Sequence, residues 1–197
     1  MGAGKSTLVL SLSSALGFTP RLERVEANPF FERSTRDVAR WAFWSELSFV
    51  LGAVNEASLA GEDAGTVLER PPEEMLGVFV RAFERAGSLS GEDAMLLERV
   101  VRSSASVARA PDLLVVLRGE PQKLLARLRR RGHVGDHSYS LHDMVMWAQA
   151  YASWRATLDP SRVIDRDIHE HDMTSAREVA SLAAEITERL RTSSSVS

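Results

Sequence analysis

Apolar positions recur at helical spacing through most of this chain, and short apolar runs of strand length interrupt them. "GKSTLVLSLSSALG" (4–17) carries its leucines and valine three and four apart and stops at Gly17, a residue suited to a left-handed helix cap. "RLERVE" (21–26) has strand length. From Phe30 to Leu59 breakers are few and aromatic residues many, which predicts one or two buried helices. "GTVLER" (65–70) follows a Gly/Asp-rich turn and reads as a strand. "PPEEMLGVFVRAFERAG" (71–87) has prolines at its start, glutamates in its first turn and a stop at Gly87, as a helix should. "SGEDAMLLERVVRSSASVA" (90–108) predicts another helix, with Ser90 as candidate N-cap. "LLVVL" (113–117) is a continuous apolar run, the pattern of a strand buried on both faces. The helix after it ends in Arg127, Arg129, Arg130 and Arg131. "HVGDHSYS" (133–140) reads as a loop, "LHDMVMWAQAYASW" (141–154) as a helix, "SRVID" (161–165) as a short strand, and "SAREVASLAAEITERLR" (175–191) as an amphipathic helix. Strands alternating with helices predict an α/β fold with a mostly parallel sheet flanked by helices.

Composition narrows the class. A chain of 197 residues buries one sizeable core, so one domain is expected, over 1–191, with 192–197 a disordered tail. A net charge of −3 argues against nucleic-acid or anionic-membrane partners. Without cysteine there is no disulfide, cysteine-based zinc site or thiol nucleophile. No apolar run reaches membrane-spanning length and no signal-peptide pattern opens the chain, so a cytoplasmic protein is expected.

The chemistry starts at the opening, "MGAGKST". Gly4, Lys5 and Ser6 match the end of the phosphate-binding pattern G-x-x-x-x-G-K-[ST], whose leading glycine would fall ahead of Met1. At a helix start, backbone N–H groups attract phosphate oxygens, a lysine adds a point charge, and a serine hydroxyl can ligate Mg²⁺. Gly2, Ala3, Gly4, Lys5, Ser6 and Thr7 are therefore the candidate nucleotide-binding stretch, against the plain alternative of a solvated helix start. A buried strand normally precedes such a loop. The expectation is a sheet without its first strand, as a start codon placed too late would produce, with two inner strands lacking a neighbour between them.

"LERVEANPFFE", "RWAFWSELSFV", "LER" and "PDLLVVLRGEPQKLLARLRRRGHVGDHSYSL" stand in an order and spacing that resembles the deoxynucleoside kinase family, from Gly2 to about Trp154. The resemblance implies a P-loop kinase fold with an Arg-rich lid at about 127–138. It also implies ATP-dependent 5′-phosphorylation of a deoxyribonucleoside, with ATP and Mg²⁺, in a homodimer formed through first-half helices such as "RWAFWSELSFVLGAV". Glu23 resembles the carboxylate that takes the 5′-hydroxyl proton. Phosphoryl transfer needs that hydroxyl oriented more than deprotonated beforehand. Glu69 and Arg70 resemble the acidic–Arg pair that places Mg²⁺ and the reacting oxygen, with Ser6 and Glu69 as the metal's ligands. Arg127 and Arg131 match lid arginines that neutralise charge on the transferring phosphoryl group, whereas Arg129 and Arg130 only complement the helix dipole. Asp136 falls where the lid binds the sugar 3′-hydroxyl, and Trp41, Phe43 and Glu46 fall in the base pocket.

Some positions depart from the family. Glu46 stands where a glutamine usually pairs with the base edge; an amide donates and accepts, whereas an ionised carboxylate only accepts. Thr35 replaces a tyrosine, His133 a lid arginine and Pro71 a serine. Base preference should change with them, or Glu46 must be protonated or paired. His133, His137 and His142 lie near the lid, and His169 and His171 are two apart; solvated loop histidines are expected rather than metal ligands. From the residues alone, a kinase for nucleoside monophosphates or small alcohols, and a non-catalytic nucleotide-fold binding protein, remain open.

Overall fold

The computed structural model describes residues 2–61, 63, 65–132 and 136–194. Helix α1 (Lys5–Leu16) follows Gly4, whose φ of 85° lies in the left-handed region that favours glycine, and ends on Gly17, whose N–H returns to the Ser13 carbonyl. Strand β1 is Thr19–Arg21, shorter than the strand expected over 21–26 and displaced toward the N-terminus. It pairs in parallel with β2 (Thr66–Leu68), from Thr19↔Thr66 to Arg21↔Leu68. Beyond Arg21 the chain leaves the ladder, and Val25–Ala27 coil into a 3₁₀ turn. Glu23 therefore stands in a loop rather than on a strand.

The apolar stretch after Phe30 becomes two helices, α2 (Phe31–Arg36) and α3 (Val38–Ala60). Asp37 separates them with φ −146° and caps α3 by accepting the Arg40 N–H. The segment after β2 is one helical rod in three parts: α4 (Pro72–Glu74), a π-helical stretch over Met75–Val80, and α5 (Arg81–Arg85). A Cβ at Gly77 would come within 2.0 Å of Trp154 Cδ1, so the bare glycine is what lets the indole pack on the rod. Ser90 caps α6 (Gly91–Ser103) in a reciprocal capping box with Asp93, as its sequence predicts.

Strand β3 (Leu114–Arg118) runs parallel to β4 (Val163–Asp167). Between them lie α7 (Pro121–Arg131) and α8 (Leu141–Arg155), the latter opened by a Ser140/Asp143 capping box. Helix α9 (Ala176–Ser194) closes the described chain. It runs on to Ser194, into the segment expected to be a disordered tail, and Thr192 Oγ1 bonds back to the Glu188 and Arg189 carbonyls; Ser195–Ser197 lie outside the described residues, as does His133.

The described strands form two separate two-stranded parallel sheets, β1–β2 and β3–β4. Between β2 and β3 lies a slot of about 1280 Å³, lined by Leu8 and Leu12 of α1, Val67 of β2, Val115 and Leu117 of β3, and Trp147 of α8. That is the arrangement expected of two inner strands with no neighbour between them. It also corrects the reading of "LLVVL" as buried on both faces: Val116 is buried, while Leu114, Val115 and Leu117 are half-buried. The largest apolar core lies elsewhere, where α3, the π-helical rod, α6 and α8 meet at Val50, Met75, Val78, Leu97, Trp147 and Trp154.

Candidate active site

The C-terminal ends of β1 and β2 and the N-terminus of α1 converge. The first N–H groups of a helix have no intrahelical carbonyl to bond, and in α1 they follow Gly2 and Gly4, both with positive φ. Gly2 also lies hard against α7: a Cβ there would come 2.8 Å from the Leu124 carbonyl oxygen. Ser6 Oγ donates to Glu69 Oε1 at 2.7 Å, and the other Glu69 oxygen accepts the Glu23 N–H at 3.1 Å. Glu69 thereby ties α1, the β1 loop and the end of β2 together. Ser6 Oγ and the Glu69 carboxylate are hard oxygen donors side by side, the donor set that suits Mg²⁺.

Arg70, beside Glu69, is buried. Its Nε lies 2.8 Å from Glu23 Oε2, an ion pair without the alignment of a hydrogen bond. Its Nη1 donates to Glu74 Oε1 at 2.8 Å and to the Tyr151 hydroxyl at 3.2 Å, and its guanidinium carbon sits 4.6 Å from the Phe79 ring centre. Tyr151 in turn donates a short hydrogen bond to Glu74. Burial alone would lower the Arg70 pKa, but Glu23, Tyr151 and Glu74 outweigh it and hold the guanidinium charged. The Lys5 ammonium is pushed below the usual lysine value, first by burial and then by Arg70, against the pull of Glu74, Glu23 and Glu69. Lys5 therefore sits among the same charges.

Arg131 makes a bidentate pair with the buried Asp136, Nε to Oδ2 at 2.9 Å and Nη2 to Oδ1 at 2.6 Å. That pairing raises the Arg131 pKa, and Glu69 lies close enough to add to it. Arg127, by contrast, is exposed, and the charge it acts on is Asp172. Arg131 is thus within reach of Glu69, whereas the charge Arg127 reaches is Asp172.

The aromatic wall stands on α2–α3. Trp41 stacks on Phe30 at 6.0 Å between centroids, and the Arg33 and Arg40 guanidinium carbons lie 4.9 and 5.2 Å from its ring centre. Phe43 packs edge-on against Trp44. The loop that leads there is pinned by the buried Asn28, which donates to the Ser45 carbonyl and accepts the Phe30 N–H. Glu46, on the buried face of α3, is 4% exposed. Burial and then the Glu23 carboxylate push its carboxyl up to about 8, against Arg70. Of the two outcomes expected for Glu46, protonation or pairing, that upward push favours the first.

Glu74, Tyr151 and Tyr139 escaped the sequence reading. Glu74 could have been found, since it stands four residues from Arg70 across a Pro-Pro helix start. Tyr139 and Tyr151 carry no local signal, and only the packing of α8 and its preceding loop brings them in. Burial raises the Tyr139 hydroxyl to about 12, and it responds to Arg70, Glu46, Asp136 and Glu23 together. Of the histidines, His169 Nε2 accepts the Glu120 N–H, and His171 pairs with Glu178.

The family model "Deoxynucleoside kinase" matches residues 1–191. A deoxyadenosine/deoxycytidine kinase of Bacillus subtilis (strain 168) is 28% identical over 178 residues, 88% of this chain and 81% of that protein. A putative deoxynucleoside kinase of Frog virus 3 (isolate Goorha) is 30% identical over 135 residues, 67% of each chain. Among solved structures, deoxyadenosine kinase from M. mycoides with bound dCTP superposes with a TM-score of 0.78 at 17% identity, covering 98% of this chain and 95% of that one. The same enzyme with bound dATP gives 0.78 with 95% of each covered. At that identity the superposition establishes the fold.

Proposed function

The chain belongs to the deoxynucleoside kinase family, which makes it a phosphotransferase acting from ATP on deoxyribonucleosides, and we propose that it phosphorylates the 5′-hydroxyl with the charges gathered around Arg70. Membership sets aside the other readings left open by the residues alone. The observation that carries the assignment of roles is the chain of contacts Ser6–Glu69–Glu23–Arg70–Glu74, which joins a Gly-Lys-Ser helix start to two carboxylates at the ends of parallel strands.

In this reading the amides of Gly4 to Thr7 and the Lys5 ammonium hold the phosphates of ATP. Ser6 and Glu69 hold Mg²⁺, which when bound neutralises phosphate charge. Glu23 orients the nucleoside hydroxyl and accepts its proton as the O–P bond forms. Arg70 fixes the Glu23 carboxylate and stays charged while doing so. Arg131, at the lid of about 127–138, faces charge developing on the transferred group, and Asp136 meets the sugar. Arg127 has the same role by resemblance, although it is exposed here. Trp41, Phe43 and Glu46 bound the base.

The homodimer rests on the same resemblance. Trp44 and Leu51, seven apart on α3, are each about half exposed, as a helix face that meets a second copy requires. Among the described residues no helix is long and apolar enough to cross a membrane, and an ATP-consuming reaction on small nucleosides suits the cytoplasm.

A panel of deoxyribonucleosides with labelled ATP and Mg²⁺ tests the reaction. Lys5→Ala is expected to remove most transfer, because it deletes the cation proposed to hold the phosphates, with circular dichroism checking that the fold is intact. Transfer at the wild-type rate in that variant overturns the site assignment.

A further inference from the structure

Glu46 is the one buried acid of this site without a cation. Arg70 is shared between Glu23 and Glu74, and Arg131 is taken by Asp136. Glu46 has neither, and its buried Oε2 has no hydrogen-bond partner. It stands on the face of α3 that also buries Ala42, Ser45 and Val50. The groups that act on it come from three other elements: Glu23 in the loop after β1, Arg70 after β2, and Tyr139 ahead of α8. The carboxyl therefore lies within electrostatic reach of Glu23, Arg70 and Tyr139, buried and with an unmet polar atom.

We propose that Glu46 selects the nucleobase and that its protonation changes which base the enzyme takes. This rests on the kinase reading above and on the base lying beside α3. A neutral carboxyl offers one O–H donor and one carbonyl acceptor, so it can pair twice with adenine (N6–H and N1) or cytosine (N4–H and N3). It can turn over to serve guanine and thymine as well. An ionised carboxylate offers acceptors only. It then faces the N1 lone pair of adenine or the N3 lone pair of cytosine in repulsion. Thymine presents one N–H flanked by two carbonyls. Guanine alone presents two adjacent donors, N1–H and N2–H. Burial keeps the neutral form dominant near neutrality. The enzyme therefore accepts adenine and cytosine nucleosides there alongside the others, and shifts toward deoxyguanosine as Glu46 ionises.

Binding of the four deoxynucleosides is measured by calorimetry, and their phosphorylation in parallel, from about pH 6.5 to about pH 8.8, spanning the Glu46 carboxyl. The ratio of deoxyguanosine to deoxyadenosine should rise by roughly tenfold or more, the range a lost bidentate base contact covers. In Glu46→Gln, whose amide donates and accepts at every pH, the ratio should stay level. A wild-type ratio that does not move overturns the proposal, and that titration decides it even if the variant fails to fold. A ratio that moves equally in the variant also overturns it. Base-selective, pH-dependent binding without phosphate transfer keeps the proposal and removes the kinase reading. Transfer with a level ratio does the reverse. Absence of binding for every nucleoside removes both.

Discussion

The charged floor proposed for the reaction and the apolar stretch of the slot beside it share one cavity's lining, with Lys5, Glu69, Glu74 and Tyr151 on one side of the contrast and Val67, Val115 and Leu117 on the other. At the C-terminal ends of β1 and β2 the buried Arg70 meets two carboxylates, a tyrosine hydroxyl and a ring face. A few residues back along β2, Val67 looks across about 1280 Å³ toward Val115 and Leu117. The difference shows that the floor does not depend on a continuous sheet. Glu74 and Phe79 come from the helical rod and Tyr151 from α8, so the charges are held by elements packed in the α3–α8 core. Glu46 is the intermediate case, as buried as the floor and as unpartnered as the slot.

Removing the cation of the floor should break the contrast most severely. Arg70→Ala takes from the half-buried Glu23 and the buried Glu74 their shared ion-pair partner, at a cost of about 3–5 kcal/mol, the range for a buried pair losing one partner. Denaturant unfolding checks it, and phosphate transfer should fall below detection in the same variant. Loss of transfer with unchanged stability would show the floor to be poised by something other than Arg70.

Glu23→Gln keeps the shape of the floor and removes the proton acceptor. kcat should drop by roughly 10²-fold or more, with little change in the KM for ATP. An effect confined to that KM would put Glu23 on the nucleotide side of the site.

Glu46→Gln sharpens the comparison from the other direction, because it should stabilise. Burial and Glu23 push the folded carboxyl up to about 8, well above the range of an exposed glutamate. Between that range and the raised value the folded chain keeps a proton that the unfolded chain has lost, so wild-type stability falls as pH rises through this window and levels off above it. The variant does not share that loss. It should match the wild type near pH 4 and exceed it by an amount on the order of a few kcal/mol near pH 8. Thermal melts at several pH values read the gap, and a gap that is constant with pH would remove the titration from the account.

The smallest effect tests the slot. Val115 and Ile164 are register partners on β3 and β4, yet Val115 lines the slot and Ile164 is 1% exposed. Val115→Ala should cost about 1 kcal/mol, and Ile164→Ala about 2–5 kcal/mol. Equal costs would mean that the slot is as well packed as the core.

Local chemistry carried much of the structure. Gly17, Ser90 and the Pro-Pro start at 71–72 announced helix ends that the fold keeps, because caps are decided by the few residues that satisfy terminal N–H and C=O groups. Gly4-Lys5-Ser6 announced a phosphate-type helix start for the same reason. The length of β1 was not legible, since a strand extends only as far as its partner pairs, and β2 stops at Leu68. The pairing of Arg131 with Asp136 was equally hidden in a run of arginines, where helical phase and the placement of the following loop decide which one meets that acid. The sequence by itself determined the alternation of elements and offered the residues proposed for phosphate chemistry. Tertiary structure alone decided which acids share Arg70 and that the Glu46 carboxyl is pushed up. Burial and counter-charges contributed by distant segments set a carboxyl's protonation, and no local stretch contains them.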